Sequence, residues 1–277
     1  MVRWPLRPQT LAAVLLVPLL LAPPPAPGAI FHRSRGSAHR HGTGVSLRKR
    51  LNVNDLITEP GTIEIDWGGL YSYTTGTLTM PSALKFTPAG NSLLLGRTEY
   101  SVAFDSIDSV PSTGTRSTQF SDRLTFAATT VVFDSAHFDV AVAPQVTAFL
   151  RNDSGVRIGA TVIGRYDRAG NSIGMTAGWS AATSVSDTNP AGVWDFGGGY
   201  GRRLASGGFL GRLTAHANAG LEKSTGLLRT ASIFGGFEYQ ANKRVAVDVS
   251  AQRLGLIGNG PDRQILVSLT VNLGKPH

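Results

Sequence analysis

Residues 209–222 read FLGRLTAHANAGLE. Every odd-numbered position in this stretch is apolar or glycine, whereas the even positions include Arg212, His216 and Glu222. Successive side chains of a β-strand point to opposite faces, so the stretch predicts a strand with one apolar and one charged face. A helix would scatter the polar groups all round. Because the stretch exceeds the roughly 9–11 residues that a tilted strand needs to cross a bilayer, it indicates a membrane strand.

The same alternation recurs along most of the chain. It is found in residues 62–73, 83–88, 93–107, 120–133, 138–150, 156–166, 172–182, 193–203, 227–239, 245–252 and 263–273. Together with the first stretch these make about 12 strands, the even number that bacterial outer-membrane barrels have. An open sheet cannot span lipid, because its edge N–H and C=O groups would be unsatisfied. We therefore predict an all-β fold, a closed antiparallel transmembrane β-barrel of about 12 strands.

The connections between these segments largely alternate in length. Short turns rich in Gly, Asn and Asp occupy residues 89–91, 134–136, 168–171, 205–208 and 241–244. Longer loops occupy residues 74–82, 109–119, 183–192 and 255–262, although residues 151–155 and 223–226 make two short connections on the long-loop side. Outer-membrane barrels have short periplasmic turns and long external loops, so the alternation supports this class.

Aromatic residues give an independent indication of membrane boundaries. The strand pattern places one group near the outer rim, namely Tyr71, Tyr73, Trp179, Trp194 and Phe196. It places a second group near the inner rim, namely Phe138, Tyr166, Phe209, Phe237 and Tyr239. Two such belts are typical of a protein whose rings settle at both membrane interfaces.

The N-terminal part has the composition of a targeting segment. Arg3 and Arg7 precede an apolar core at residues 11–21, which predicts a signal peptide over residues 1–28, cleaved after Gly28. Residues 29–54 follow as a basic disordered arm, and residues 55–277 form the barrel. Histidines in the arm at positions 32, 39 and 41 lack regular ligand spacing, so a solvated linker is preferred to a metal site.

The basic charge of the chain is confined to its beginning. Residues 1–50 contain eight Arg and Lys and no acidic residue, which accounts for the whole net charge of +8. From residue 51 onward 18 basic residues match 18 acidic ones, so the barrel itself gives no support for nucleic-acid binding. The chain has no cysteine, which excludes disulfides and thiol chemistry.

The polar face of the strands lines the predicted lumen. Its candidate lining residues carry both charge signs: Glu64, Asp66, Lys85, Arg97, Glu99, Asp105, Arg123, Asp139, Arg157, Arg165, Arg212, His216, Glu238 and Asp248. Mixed charges more often pair across strands and brace a wall than select one ion sign. Asp139 and Arg165 are expected to be such a pair, since a tight hairpin joins their strands.

Catalysis, cofactors and metal ions are not expected. His216 lies in no local triad motif, and such sites are recognised by geometry. The glycine run at residues 197–201 lacks the lysine and hydroxyl residue of a phosphate loop, and in a strand it indicates a close approach of barrel segments.

The second half of the chain carries the motifs of a known family. These are FEY at residues 237–239, VDVSAQ at residues 247–252 and QILVSLTVNLG at residues 264–274, with PGTIEID at residues 60–66. Over residues 55–274 the chain resembles the bacterial outer-membrane proteins named for the meta-pathway of phenol degradation. The resemblance implies a transporter-like barrel for small, aromatic or apolar compounds, without catalytic residues. The chain departs from the usual aromatic C-terminal signal for the insertion machinery, because its last strand ends on Leu273.

We therefore expect a porin-like channel in the outer membrane of a Gram-negative bacterium, for passive uptake of small solutes. Its expected partners are membrane lipid, the outer-membrane insertion machinery and the solute. One alternative is a structural or surface-interaction barrel whose lumen is closed by its own side chains. The other is a secreted β-protein that binds an apolar ligand.

Overall fold

The computed structural model describes residues 56–74, 76–89, 97–112, 115–119, 123–150, 155–185, 190–225, 229–256 and 262–274, with backbone alone for 105–112 and 115–119. The predicted signal peptide (1–28) and basic arm (29–54) lie outside these ranges. Within them, no helix is both long enough and apolar enough to cross a membrane.

Thirteen antiparallel strands make up nearly all of the described chain. They are β1 (Thr62–Ser72), β2 (Leu78–Thr87), β3 (Thr98–Ser112), β4 (Thr115–Gln119), β5 (Arg123–Asp134), β6 (Phe138–Phe149), β7 (Val156–Arg168), β8 (Asn171–Ala182), β9 (Gly192–Arg203), β10 (Leu213–Ser224), β11 (Thr230–Gln240), β12 (Val245–Leu254) and β13 (Asp262–Gly274).

The sheet closes on itself. Apart from β4 and β5, each strand pairs with its neighbour in sequence; β1 also pairs with β13, and β3 pairs with both β2 and β5. The short β4 pairs only with the last residues of β3, so it is a hairpin arm on a wall of 12 strands. The predicted fold, a closed antiparallel barrel of about 12 strands, is confirmed.

Alternation along the strands separates the two faces of the wall. On β7, Ile158 is 54% exposed, whereas Arg157 and Thr161, at odd positions on the opposite face, are 8% and 1% exposed. Side chains diverge on the convex side of a closed sheet and converge inside it, so the exposed apolar row faces outward. Trp67 and Met175 on other strands follow the same rule. This outward apolar surface is the one that a membrane barrel presents to lipid.

We name the two ends of the barrel by its first and last strands. The proximal end is where β1 begins and β13 ends, and the distal end is the opposite one.

The aromatic groups lie at these ends as predicted. Tyr71 and Tyr73 pack edge to face at the distal end, with ring centroids 5.1 Å apart. Phe209 and Tyr239 pack at the proximal end, also at 5.1 Å.

The strand predicted from residue 209 starts four residues later. β10 begins at Leu213, and Leu210–Arg212 form a short 3-10 helix. Gly208 has a φ of +68°, a conformation that glycine adopts without strain, and the chain turns there before the strand. Phe209 and Arg212 therefore lie on the proximal rim, and the expectation that Arg212 lies within the strand is wrong.

Two predicted loops contain strand residues. β2 begins at Leu78, so part of the predicted loop 74–82 belongs to the wall. Pro81 has no N–H for a ladder, and the pairing register with β3 shifts between Thr79 and Pro81. The predicted loop 109–119 forms the hairpin of β3 and β4.

Candidate functional site

A triad of charges braces the interior of β1 and β2. The Lys85 Nζ lies 2.9 Å from Glu64 Oε1 and 2.5 Å from Asp66 Oδ2. The register explains this contact, because Lys85 is directly opposite Glu64 and next but one to the partner of Asp66. The hydroxyl of Thr270 on β13 donates a further hydrogen bond to Asp66. These three predicted lining residues thus pair with one another across two strands, and Thr270 links them to a third.

A second ion-pair group lies on β6 and β7. Arg165 is 3.5 Å from the Asp139 carboxylate on the neighbouring strand and 2.5 Å from Asp167 on its own strand. Asp139 and Arg165 are direct cross-strand partners, so the predicted pair is confirmed. Arg165 is buried, and its two ion pairs hold its guanidinium against the inner wall.

His216 is the centre of a third polar group. Its Nε2 lies 2.6 Å from Asp248 Oδ2, and the Ser250 hydroxyl donates to the other oxygen of Asp248 at 3.0 Å. The serine therefore bonds to the carboxylate rather than to the imidazole, which is not the order of a nucleophilic triad. The buried Glu238 is the cross-strand partner of Asp248, which adds a second carboxylate to the group.

Arg157 occupies the distal end of the lumen. Its guanidinium donates to Ser180 Oγ at 3.2 Å and to the carbonyl of Pro190 at 2.7 Å. It also interacts favourably with Glu222 on β10 and unfavourably with Arg123 on β5. Because β10 is not a neighbour of β7 in the sheet, the interaction with Glu222 runs across the interior. Arg157 therefore ties a distal loop to the inner wall.

The chain ahead of β1 runs inside the barrel. We call residues 56–61 the inner segment. Leu56 is buried in a cluster with Ala141, Ala143 and Ile163, which lie on the inward face of β6 and β7. The ring order places β6 and β7 on the side of the barrel away from β1, so the inner segment crosses the lumen to reach them.

Hydrogen bonds fix this segment to a second part of the wall. The Thr58 N–H donates to Glu99 Oε2 at 2.7 Å. The hydroxyls of Thr58 and Thr87 lie 2.7 Å apart. Glu99 and Thr87 are almost completely buried, on β3 and β2 respectively. The inner segment therefore narrows the proximal half of the lumen.

Sequence reasoning did not identify the inner segment. Its hydrogen bond to Glu99 spans 41 residues, and its contact with Ile163 joins positions still further apart. Nothing in the local pattern around Thr58 indicates either contact. The signal that was present is the isolated apolar pair at positions 56 and 57, between a polar arm and a strand. An apolar residue ahead of a barrel strand has to be buried against something, and here it is buried inside.

Two predicted lining residues lie at the rim instead. Arg97 precedes β3, is exposed and pairs with Asp134 at 3.3 Å. Arg212 is exposed in the 3-10 helix and donates to the Ala241 carbonyl at 3.0 Å. Asp105 lies in β3 opposite Pro81, and its side chain is outside the described set. The remaining predicted residues lie on the inward-facing register, which is the face of Arg123 as well.

The lumen is thus lined by paired charges with an apolar patch beneath the inner segment. In the described part of the chain, no group of three or more His, Asp or Glu is arranged to hold a metal ion. The arrangement is a polar interior with charges of both signs, and it forms neither an activated nucleophile nor a ring of one charge sign.

Among the comparisons with known proteins, the one with solved structures supports the barrel fold. No family model matches the chain, and no curated protein matches it. Among solved structures, it is similar to an outer-membrane channel from Pseudomonas putida F1, with a TM-score of 0.56 and 9% identity, over 78% of this chain and 97% of that one. It is also similar to a KdgM porin, with a TM-score of 0.51 and 10% identity, over 75% of this chain and 98% of that one.

These similarities are to barrels of the bacterial outer membrane, in agreement with the predicted localisation. At such identity they concern the fold. The resemblance to the phenol meta-pathway family stays a prediction.

Proposed function

We propose that this protein is an outer-membrane channel for passive passage of small amphipathic or apolar solutes. The observation that carries the proposal is the lumen itself. It is closed on all sides by strands, lined by polar groups, and crossed by a short segment held by a few hydrogen bonds. A barrel of this strand number is wide enough for a passage partly filled by side chains.

The class of solute follows from charge pairing and apolar patches. Lys85 and Arg165 each lie within ion-pair distance of a carboxylate, so these charges attract ions of either sign only weakly. Leu56 and Ile163 give the interior an apolar surface, and Phe234 lies beside the His216 ring. Small neutral molecules with an aromatic or apolar part fit this combination better than inorganic ions.

The principal alternative is a barrel that serves a structural or surface role with a closed lumen. The burial of Leu56 and Glu99 favours it, because the inner segment fills space that a solute would need. The two functions differ in one property, the flux of solute through the wild-type barrel. The soluble apolar-ligand protein is disfavoured, because Trp67 and Ile158 are half exposed in rows that water would meet.

Swelling of proteoliposomes tests the proposal. The refolded barrel is incorporated in vesicles, which are diluted into isosmotic phenol, benzyl alcohol, glycerol or arabinose, with empty vesicles as the baseline. Because aromatic alcohols also cross lipid unaided, the rate above the baseline is compared. A channel of the proposed kind raises swelling for small aromatic alcohols more than for arabinose. No increase for any solute supports the closed barrel instead.

A further inference from the structure

One sector of the proximal rim carries charges of a single sign. Three turns meet there, at residues 168–171, 202–212 and 241–244, and they contain no Asp or Glu. Their basic side chains are all exposed: Arg168, Arg202, Arg203, Arg212, Lys243 and Arg244. Like charges at such density repel one another in the absence of a counter-charge. This sector of the rim is therefore electrostatically complementary to an anion.

A hollow lies in the middle of this set. It has a volume of about 320 Å³ and is lined by Gly208, Phe209, Arg212 and Tyr239. Tyr239 belongs to the outward register of β11, so the hollow opens on the outer side of the wall. Arg212 is steadied by its bond to the Ala241 carbonyl, which takes one of the five N–H donors of a guanidinium.

Apolar side chains adjoin the same hollow. Phe209 and Leu210 are 66% and 52% exposed, next to Arg212 in sequence. The rings of Phe209 and Tyr239 form part of the aromatic belt at this end. Aromatic rings at the membrane interface with cationic groups just beyond them match the layering of a lipid, whose phosphate lies above its acyl chains.

We propose that this hollow binds an anionic glycerophospholipid. The phosphate lies between Arg212 and the exposed cations of the neighbouring turns, and an acyl chain lies against Phe209 and Leu210. Inorganic phosphate would make no contact with the apolar side chains of the site. A neutral lipid would leave its cations without a counter-charge. The proposal needs the barrel to lie in a membrane, but it does not depend on whether the lumen conducts.

Native mass spectrometry of the refolded barrel in detergent tests the assignment. Phosphatidylglycerol and phosphatidylcholine with identical chains are titrated against wild type, Arg212→Gln, Phe209→Ala and Arg253→Gln. Arg253 is an exposed cation at the distal end and serves as the charge-matched control. Each cation near a lipid surface contributes about 1 kcal/mol, so Arg212→Gln is expected to weaken phosphatidylglycerol binding about fivefold.

Support requires preference for phosphatidylglycerol, weakening in both rim variants, and no change in Arg253→Gln. Equal binding of the two lipids overturns the proposal, as does equal weakening by Arg253→Gln. Displacement of the lipid by millimolar inorganic phosphate indicates a plain anion site and also overturns it. Tighter binding of lipid A than of phosphatidylglycerol also overturns the proposal, because the site then prefers another class of lipid. If Arg212→Gln loses heat-modifiable migration on a gel, Lys243→Gln, in an exposed turn, replaces it.

Discussion

The backbone N–H of Thr58 donates a hydrogen bond of 2.7 Å to the carboxylate of Glu99, 41 positions further along the chain. Glu99 is 1% exposed, on the inward face of β3, while Thr58 belongs to the inner segment. The bond therefore holds a piece of chain inside the barrel against a wall strand. Because the inner segment narrows the lumen, this hydrogen bond also limits the width of the lumen.

Removing this carboxylate is expected to widen the passage. Glu99→Ala takes away a charged acceptor, and a hydrogen bond of this kind contributes about 1.5–3 kcal/mol. The inner segment is then held mainly by Leu56 and the Thr58 hydroxyl, so its excursions increase and the mean single-channel conductance rises. Glu59→Ala is the control, since Glu59 is exposed and lies next to Thr58. An unchanged conductance in Glu99→Ala argues that the segment does not limit flow.

Loss of Lys85 is expected to change both stability and selectivity. Lys85→Met leaves Glu64 and Asp66 without the ammonium group that lies within 3 Å of each. Breaking a largely buried pair costs about 3–5 kcal/mol, so the urea midpoint of unfolding falls. The reversal potential in a salt gradient shifts toward cation preference, because two carboxylates lose their cationic neighbour. Lys223→Met, at an exposed position near the distal end of β10, is expected to leave both unaltered.

The two faces of β12 are expected to respond differently to a charge. Val249→Arg places a cation on the outward apolar surface, where it costs about 2–4 kcal/mol at the bilayer midplane. Gln252→Arg places the same group on the inward register opposite Gln264. Heat-modifiable migration after refolding into vesicles measures the folded fraction. Equal folded fractions for the two variants speak against the assignment of the faces.

A methyl group at Gly236 is expected to disturb the wall. A Cβ there lies 2.2 Å from the Val249 carbonyl oxygen and 2.6 Å from the Ser250 Cβ, so neighbouring backbone has to move. Overpacking of this kind costs about 1–3 kcal/mol, and Gly236→Ala is expected to lower the unfolding midpoint accordingly. Gly198→Ala is the matched control, since its nearest contact is 3.9 Å away. A similar midpoint for both variants contradicts the close approach.

The sequence predicts most of the wall, because the side-chain period of two is set by the backbone alone. It predicts the pairing of Asp139 with Arg165, since a hairpin fixes which residues face each other. It misplaces the start of β10, because the alternation continues through Phe209 and Arg212 although the chain there forms a 3-10 turn. A pattern of polarity does not distinguish a strand from a turn that happens to keep its period.

Long-range relationships are the part that the sequence does not supply. Proline at position 81 suggests a loop, yet a register shift beside it lets the residue stay in the wall. Leu56 finds its partners on β6 and β7 only after the barrel closes around it. The same holds for Arg157, whose bond to the Pro190 carbonyl depends on how a loop folds back.

A disulfide between the inner segment and the wall tests whether solutes pass through the lumen beside this segment. The chain has no cysteine, so the Thr58→Cys and Thr87→Cys double variant can be oxidised selectively. Its two sulfur atoms replace hydroxyls that lie 2.7 Å apart. Thr125→Cys with Thr147→Cys is the control, because those hydroxyls lie 2.9 Å apart on wall strands that are already paired.

The decisive measurement is planar-bilayer conductance of both double variants before and after reduction. We expect that wild type conducts, that reduction of the Thr58–Thr87 crosslink raises conductance and its fluctuations, and that reduction of the wall crosslink changes neither. If wild type, Glu99→Ala and the reduced Thr58→Cys, Thr87→Cys variant all fail to conduct, the channel function is excluded and the barrel has a closed lumen.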